Sequence, residues 1–517
     1  MYFSYYEVTV IALAGFLSVY TYQTISLWRR MKGAKPPPGP RGWPIVGNAP
    51  ELASSNGHLV GTFKKWTKEY GDVVQFSILG EKQVIVSSDK IAHDLMVKRG
   101  AIYSDRGTPY AAARILHLNP AIRTNDDSWR KERRLITQAV SMSANNTYLA
   151  AMEAESKITL RDLLLDPENF DNNLSRYAFG VLTRSMLGFE VETANDPFIV
   201  ETRKNIDEFL RGFRPDYYPI NVFPFLRFFP AWLVPSNSEM EKMRKKVYDM
   251  IVTVRERVKA SVNDGTAGTS MYRHFFEHRD EYDITDDEAG YAFDSMISAG
   301  TASPHNALLT FLYLMMEYPE WQKKIQREVD QVVGPDRLPC FEDIPNLPLV
   351  RAIVKEGIRY RTIVAELGIP HRLEKDDIYK EYFFEKNTVF HAYYGAILMD
   401  QDMYPDQMLF NPDRWLDPIY PTYKEPLTIH PNLQNYTPFG YGRRACPGWD
   451  FSERTITILV AQMAWGCEIR KPLDPITNKP IEIVLLHEPT PNPKPLPFPC
   501  DIRPRSAEKV RIVSGGE

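Results

Sequence analysis

The chain has 517 residues, and 62 Lys and Arg against 66 Asp and Glu leave a formal net charge of −4. With 44% hydrophobic residues, the composition is that of a globular protein, which excludes a disordered tail protein or a collagen. The near-neutral charge also excludes a basic protein that binds nucleic acid by neutralising phosphates.

The amino-terminal segment predicts a membrane anchor. The 21 residues between Glu7 and Arg29 carry no charge, and as a helix they would span roughly 30 Å, one bilayer. Basic residues follow this segment, which places the rest of the chain in the cytosol. The pattern favours a membrane anchor over a cleaved signal peptide or a buried core helix. The sequence motifs for N-glycosylation at Asn145, Asn173 and Asn435 are then chance matches, because they would lie on the cytosolic side.

The chain after the anchor predicts a linker and one large domain. A proline-rich run at 36–40 cannot be helical and should form a stiff spacer. No repeat or break in composition divides the rest. We therefore predict a short lumenal end over 1–7, a transmembrane anchor over 8–28, a basic and proline-rich linker over 29–59, and a catalytic domain over 60–517.

The residue patterns of the body predict a mainly α fold with a minor β-sheet. Two β-rich runs between Gly71 and Ser87 are separated by a tight connection, which is typical of a hairpin. Near the carboxyl terminus, the proline-rich stretch 489–499 interrupts a second pair of β-like segments, which ends at 509–513. Helical periodicity marks three longer stretches: 129–140, 240–262 and 286–318. The third follows Thr285 and Glu288, the pattern of a capping box.

Of the four cysteines, Cys446 has the context of a metal ligand. Glycines flank it, two arginines precede it, and residues with helix-forming composition follow from Phe451. This pattern predicts a tight loop near a helix N-terminus, where backbone amides and positive charge keep a thiolate ionised. The alternative for any isolated cysteine is a buried, inert thiol.

The segment around Cys446 resembles the haem-binding loop of the cytochromes P-450, whose pattern is FxxGxRxCxG. Every fixed position of that pattern is matched, by Phe439, Gly442, Arg444, Cys446 and Gly448. The resemblance implies the cytochrome P-450 fold, with heme b held through the Cys446 thiolate.

Further elements of the same family occur in the expected order along the chain. Residues 356–359 resemble the family's ExxR, and 410–415 resemble its FxPxRW element. The resemblance implies a buried, structural ion-pair network of Glu356, Arg359 and Arg414.

Four residues are implied contacts of the haem propionates. Trp129 and Arg133 resemble the family's WxxxR and fall one helical turn apart on one face. His371 follows a proline after the ExxR helix, as in the family, and Arg444 is the fourth contributor.

The helix that activates oxygen in this family departs from its pattern here. Residues 299–304 align with AGxDTT or AGxETT, but Ala302 stands at the acidic position and Pro304 follows Ser303. Ser303 and Thr301 remain as candidate catalytic hydroxyls. Either Ser303 and water suffice as a proton relay, or the reaction depends less on that relay.

The resemblance implies a monooxygenase, similar to fungal microsomal members of secondary metabolism. It would act on an apolar small molecule and take electrons from NADPH-cytochrome P-450 reductase. It would be a single-pass protein of the endoplasmic reticulum membrane with a cytosolic catalytic domain, and Arg130, Lys131 and Arg134 are the hypothetical reductase-docking residues. The missing acid leaves open a haem-thiolate isomerase, a dehydratase or a phenol-coupling enzyme, and a non-enzymatic membrane haem protein is a further alternative.

Overall fold

A computed structural model describes most of the chain. The described residues are 18, 21–22, 24–54, 59–141, 146–214, 217–361, 368–487 and 494–515. Two compact units are formed, one from Met1–Gly107 with His371–His391 and the other from Thr108–Pro370 with Ala392–Glu517. The anchor, linker and catalytic-domain boundaries given above stay predictions.

Residues 24–31 are helical, but most of the predicted anchor over 8–28 lies outside the described residues. In the part of the chain that the structure describes, no helix is both long and apolar enough to cross a bilayer.

The first unit holds the main sheet. Its helices are α1 (Ala49–Ser54), α2 (Leu59–Tyr70) and α3 (Asp89–His93), the last continued by a π-helical turn at Asp94–Lys98. Its strands are β1 (Val73–Ile78), β2 (Glu81–Val86), β3 (Asp105–Arg106), β4 (His371–Arg372), β5 (Asp377–Tyr379), β6 (Tyr382–Phe384) and β7 (Val389–Ala392). Five of them form a sheet in the order β1-β2-β7-β4-β3, and β5 pairs with β6. The predicted hairpin is confirmed, because β1 pairs antiparallel with β2 and Val73 lies opposite Val86.

The second unit is mainly helical. Its helices are α4 (Tyr110–Ile115), α5 (Asp127–Ala139), α6 (Leu149–Leu165), α7 (Phe170–Leu182), α8 (Pro197–Arg211), α9 (Pro235–Asn263), α10 (Met271–Glu277), α11 (Asp286–Glu317), α12 (Pro319–Val332), α13 (Pro348–Tyr360), α14 (Tyr394–Ile397), α15 (Trp449–Gly466) and α16 (Ala507–Ser514). Strands β8 (Cys467–Arg470) and β9 (Asp501–Pro504) form an antiparallel pair. Short 3-10 turns occupy Pro167–Asn169, Pro219–Asn221, Pro224–Phe228, Arg279–Glu281, Ile344–Asn346, Pro412–Trp415, Thr437–Phe439 and Gly442–Arg444, and a π-helical turn occupies Thr183–Leu187.

Helix α11 is the central element of this unit. It is 32 residues long and packs against α5, α7, α13 and α15, so most of its side chains are buried. The predicted capping box is confirmed: the Glu288 N–H donates to Thr285 Oγ1 at 3.1 Å, and the Thr285 N–H donates to Glu288 Oε2 at 2.8 Å. Pro304 lies inside the helix, which nevertheless continues past it.

The β-like assignment of 509–513 is wrong, because these residues belong to helix α16. Ser506 caps the helix by accepting a hydrogen bond from the Lys509 N–H, and Gly515 ends it in a left-handed conformation. Lys509 and Val513, four residues apart, form its buried face. The run contains β-branched residues next to basic ones, so its composition suggested a strand. The pattern of hydrophobicity does not reveal the two caps that make it a short helix.

Candidate functional site

The Cys446 loop is held in shape by its own backbone. The Cys446 N–H donates to the carbonyl of Phe439 at 2.6 Å, which closes the loop between the two residues. Gly440 and Gly442 have φ of +82° and +59°, values that L side chains rarely adopt. Gly448 then leads into helix α15, so the sulfur lies just before the N-terminus of a helix, as the sequence predicted.

The sulfur of Cys446 is accessible, although protein surrounds it. The residue is solvent-exposed by surface area, yet burial raises the pKa of its thiol. Cys446 can therefore be reached from solvent, while the protein around its sulfur disfavours the charged form unless other groups stabilise it.

Two groups oppose the effect of burial on this thiol. The backbone N–H of Gly448 donates to the sulfur and the Arg133 guanidinium lies nearby, and both lower the pKa of Cys446. Arg133 also donates to the carbonyl of Ala445, which fixes it beside the loop. Both groups stabilise the negatively charged thiolate relative to the thiol. They therefore fit a haem iron held by a thiolate.

Arg444 joins the loop to helix α5. Its guanidinium lies 3.9 Å from the ring centre of Trp129 and donates to the carbonyls of Pro120 at 3.1 Å and Arg123 at 2.8 Å. Trp129 is buried and donates from Nε1 to the same Pro120 carbonyl at 2.9 Å. The structure thus brings Trp129, Arg133 and Arg444 to the Cys446 loop, while their contact with propionates stays a prediction.

His371 lies in the first unit, on strand β4. Its side chain is buried, and Nδ1 donates to the carbonyl of Tyr103 at 2.7 Å. This bond fixes the tautomer and the plane of the ring, because a carbonyl can only accept. The role of His371 toward a propionate stays a prediction.

The two hydroxyls predicted on α11 face in different directions. Thr301 is buried and donates to the carbonyl of Ser298 at 3.3 Å, while Ser303 is half-buried. Residues two positions apart on a helix point roughly 200° apart. Thr301 and Ala302 line a cavity of about 250 Å³ whose lining does not include Ser303.

The ion-pair network implied by the family motifs is present and buried. Glu356 lies 2.8 Å from Arg359 and 3.3 Å from Arg414, and all three side chains are inaccessible to solvent or nearly so. Trp415 adds a hydrogen bond from Nε1 to Glu356 Oε2 at 3.1 Å. This network positions the segment after α13 and touches no reacting group.

A buried acid on α5 was missed in the sequence. Glu132 is inaccessible to solvent and pairs with Arg123 at 2.6 Å, and burial raises its pKa to about 8. Arg123 is also the residue whose carbonyl accepts from Arg444, so this pair supports the segment that meets the Cys446 loop. Its burial could have been predicted from its place on the helix, because Glu132 shares the buried face of α5 with Trp129 and Ile136.

Comparison with known proteins agrees with this geometry. The family model described as cytochrome P-450 matches residues 37–494, and the chain belongs to the cytochrome P-450 family. Members of this family bind haem through a cysteine thiolate, so the chain is a haem-dependent oxidoreductase of the monooxygenase type. The resemblance on which the sequence interpretation depended is confirmed.

Several fungal proteins are similar over nearly the whole chain. Cytochrome P-450 monooxygenase psoD of Aspergillus fumigatus is 51% identical over 478 residues, which cover 92% of each chain. Cytochrome P-450 monooxygenase virE of Hypocrea virens is 29% identical, with 94% of this chain and 89% of that protein covered. A cytochrome P-450 monooxygenase of Armillaria gallica is 30% identical, with 98% and 97% covered.

Replacing Gly440 with alanine should weaken the loop. Its φ of +82° and ψ of −169° lie in a region that is nearly reserved for glycine, so we expect a loss of about 1–3 kcal/mol in the free energy of unfolding. Chemical denaturation followed by haem absorbance measures the loss. The matched control is Gly61→Ala on helix α2, where an added methyl meets no atom within 4 Å and should not destabilise the protein. Equal stability of Gly440→Ala and the unsubstituted protein would contradict the assigned backbone conformation.

Proposed function

We propose that this protein is a haem-thiolate monooxygenase of fungal secondary metabolism, with Cys446 as the iron ligand. The proposed reaction oxidises an apolar small molecule, either by inserting one atom of dioxygen in a hydroxylation or epoxidation, or by removing two hydrogens in an oxidative ring formation or coupling. The observation that carries the proposal is the setting of Cys446, an accessible sulfur with the Gly448 N–H and the Arg133 guanidinium beside it.

The residues of the loop would hold heme b, which when bound supplies dioxygen activation driven by the electron-rich thiolate. The Gly448 N–H donates to the sulfur. This hydrogen bond stabilises the thiolate and would limit the electron density that the sulfur gives to the iron. Arg133 and Arg444 add positive charge near the loop, which suits the carboxylate side chains of haem. Each turnover of such a reaction consumes two protons and two electrons besides dioxygen, and it releases one water when oxygen is inserted or two when the substrate only loses hydrogens.

Turnover with isotopically labelled dioxygen tests the proposal. The full chain, reconstituted with NADPH-cytochrome P-450 reductase and offered a panel of apolar polyketides, terpenoids and alkaloids, should give a product that carries one labelled oxygen atom if oxygen is inserted, and an unlabelled product with two hydrogens fewer if a ring forms or a coupling occurs. Product formation should stop without NADPH and without dioxygen. Turnover that persists under both conditions would contradict a monooxygenase.

An exposed aromatic patch supports an apolar substrate and a membrane location. We define this patch as Phe223, Phe225, Phe228, Phe229, Trp232 and Leu233. All six side chains are exposed, with Phe228 at 75% and Trp232 at 81% of full exposure. A contiguous apolar surface of this kind marks an interaction site, and we propose that it contacts the cytosolic face of the endoplasmic reticulum membrane, from which the substrate enters.

A fluorophore attached at position 228 should report contact of the aromatic patch with lipid. In the full chain reconstituted in vesicles, the emission of labelled Phe228→Cys should shift to the blue and be quenched by a lipid-borne quencher, because the patch lies in the interfacial layer. The control is Ile476→Cys, which is 92% exposed but lies outside the patch. Labelling of the unsubstituted protein corrects for native thiols. Equal quenching at both positions would contradict the membrane contact.

The exposed side of helix α5 is the proposed docking surface for the reductase. Arg130 and Arg134 are exposed, Arg130 pairs with Asp127, and Lys131 pairs with Asp283 at 2.5 Å while remaining accessible. A positive surface steers an acidic partner toward the haem edge. Charge reversal at Arg130 and Arg134 should slow haem reduction by the reductase, most strongly at low salt, and unchanged reduction kinetics would contradict this docking surface.

One observation favours a second candidate function. Ala302 replaces the acid of the family pattern, and Pro304 removes a helix N–H beside it. A haem-thiolate isomerase or a dehydratase needs no protons for dioxygen cleavage, and the substrate of a phenol-coupling enzyme brings hydroxyl groups of its own to the site. Turnover without NADPH and dioxygen indicates an isomerase or a dehydratase. Consumption of both without labelled oxygen in the product indicates coupling.

A further inference from the structure

The cavity beside helix α11 is lined by charged side chains. It lies between α7, α8 and α11, and about 250 Å³ is room for several water molecules. Its titratable lining residues are Asp171, Arg203, Asp207, His305 and Lys494. Polar cavities of this size hold water, whereas an apolar cavity would stay dry.

His305 and Asp171 form a hydrogen-bonded pair in this cavity. His305 Nε2 lies 2.7 Å from Asp171 Oδ1 and 3.2 Å from the Asp171 carbonyl. Both of those atoms accept, so Nε2 carries a proton and donates it. His305 is buried, whereas the Asp171 side chain is 42% exposed and contacts the Lys494 ammonium at 3.1 Å. The pair therefore connects solvent with the interior of the second unit.

The charge states of the pair follow from their surroundings. Burial alone would raise the pKa of Asp171, but the His305 bond and the Lys494 charge outweigh it and hold that pKa below the usual range. Burial lowers the pKa of His305, and the Asp171 carboxylate offsets part of that decrease. At neutral pH the pair is thus a carboxylate and a neutral imidazole, which can still accept a proton on its second nitrogen.

The cavity touches α11 beside a turn whose backbone hydrogen bonding is incomplete. Thr301 and His305 are four residues apart on one face, and Ala302 lines the same cavity. Pro304 has no N–H to donate to the Gly300 carbonyl, which leaves that carbonyl without its usual helical donor. Water can insert into a helix at such a position.

We propose that this cavity is a proton-entry route to helix α11, with His305 and Asp171 as its positioning residues, in place of a carboxylate at position 302. In each transfer a water that has taken up a proton from solvent gives it to the second ring nitrogen of His305 and becomes neutral again, and the ring then releases that proton to the next water toward Thr301. Asp171 stabilises the charged imidazole during its lifetime, and no electron moves. The inference rests on the proposed monooxygenase function, which consumes two protons in each turnover.

The other charged groups around His305 act on the same route. Arg203 and Asp207 face the cavity from α8, and Arg203 donates to Ser175 Oγ on α7. Burial raises the pKa of Asp207. Asp207→Asn is therefore compared with the variants below, so that any contribution of this carboxyl to coupling can be separated from that of His305.

Proton delivery is tested in the reconstituted holoenzyme. His305→Gln and Asp171→Asn should retain the haem spectrum but lose several-fold in the fraction of NADPH electrons recovered in product, with more hydrogen peroxide and a larger solvent isotope effect. Introducing an acid with Ala302→Asp in the His305→Gln background should restore coupling. The matched control is His274→Gln, an exposed histidine on α10. Unchanged coupling and isotope effect in both pair variants would overturn the proposal.

Hydrogen exchange gives a readout that needs no turnover. Filling the cavity with Ile206→Phe should slow amide exchange several-fold in a peptide that covers 296–306, because water would no longer reach the incomplete turn of α11. A peptide from α16 serves as the internal control. Unchanged exchange in the 296–306 peptide of a folded Ile206→Phe protein would overturn the route even if the enzyme is active. If the unsubstituted enzyme turns over without NADPH, the monooxygenase function fails, and the exchange result still decides whether the cavity supplies water to α11.

Discussion

Cys446→Ser is expected to abolish the Soret maximum that marks thiolate ligation in the dithionite-reduced, carbon-monoxide-bound protein. A serine hydroxyl is a poor ligand for haem iron and is not ionised near neutral pH, so the electron-rich ligand is lost. Monooxygenase activity should fall to background in the same variant. Difference spectroscopy and product analysis measure the two effects independently.

The other cysteines supply matched controls for this experiment. Cys340 lies in the loop after α12 with its sulfur 3.3 Å from Asp343 Oδ2, and burial raises the pKa of Cys500 to about 12. Cys340 also has a backbone N–H, from Glu342, and the Arg337 guanidinium beside its sulfur, but burial and its hydrogen bond to Asp343 raise the pKa of this thiol, and it lies outside the glycine-containing loop before α15. Cys340→Ser and Cys500→Ser should retain the spectrum, and an unchanged spectrum in Cys446→Ser would refute Cys446 as the ligand.

Glu356→Gln is expected to destabilise the protein by about 3–5 kcal/mol, because it leaves the buried guanidinium groups of Arg359 and Arg414 without their carboxylate. The amide of glutamine can keep some hydrogen bonds but cannot balance two positive charges. A lower midpoint of chemical denaturation and a smaller yield of haem-loaded protein should accompany the change.

Glu320→Gln on α12 is the control for Glu356→Gln, since Glu320 is exposed and the same substitution there should change the stability by less than about 0.5 kcal/mol. Activity per haem should stay close to normal in Glu356→Gln at low temperature, because the network touches no reacting group. A stable Glu356→Gln protein would show that Arg359 and Arg414 are neutralised by other groups.

The sequence predicted the parts of this molecule that depend on short-range patterns. The hairpin of β1 and β2, the capping box of Thr285 and the loop before α15 each follow from residues within about ten positions of one another. The Glu356 network joins more distant residues, and it was predictable only because family motifs fix their order along the chain.

The rest of the site depends on contacts that a single sequence does not encode locally. His305 and Asp171 are 134 positions apart, and their pairing arises where α7 packs against α11. The periodicity of α5 places Glu132 on the buried face, but it does not reveal Arg123, the partner from outside the helix that makes a buried acid tolerable there. The helix at 507–514 depended on Ser506 and Gly515, whose capping roles required the backbone conformation.

The stacking of Arg444 on Trp129 has a consequence for protein engineering. The Arg444 guanidinium attaches the Cys446 loop to the carbonyls of Pro120 and Arg123, and Arg133 donates back to the carbonyl of Ala445, so arginines from both sides join the loop to the segment 120–133. A chimera that takes only the loop or only the segment 120–133 from a relative would place the Arg444 guanidinium against carbonyls that no longer match its donors. Grafts in this family should therefore exchange both segments together, as one module with two separate stretches of sequence.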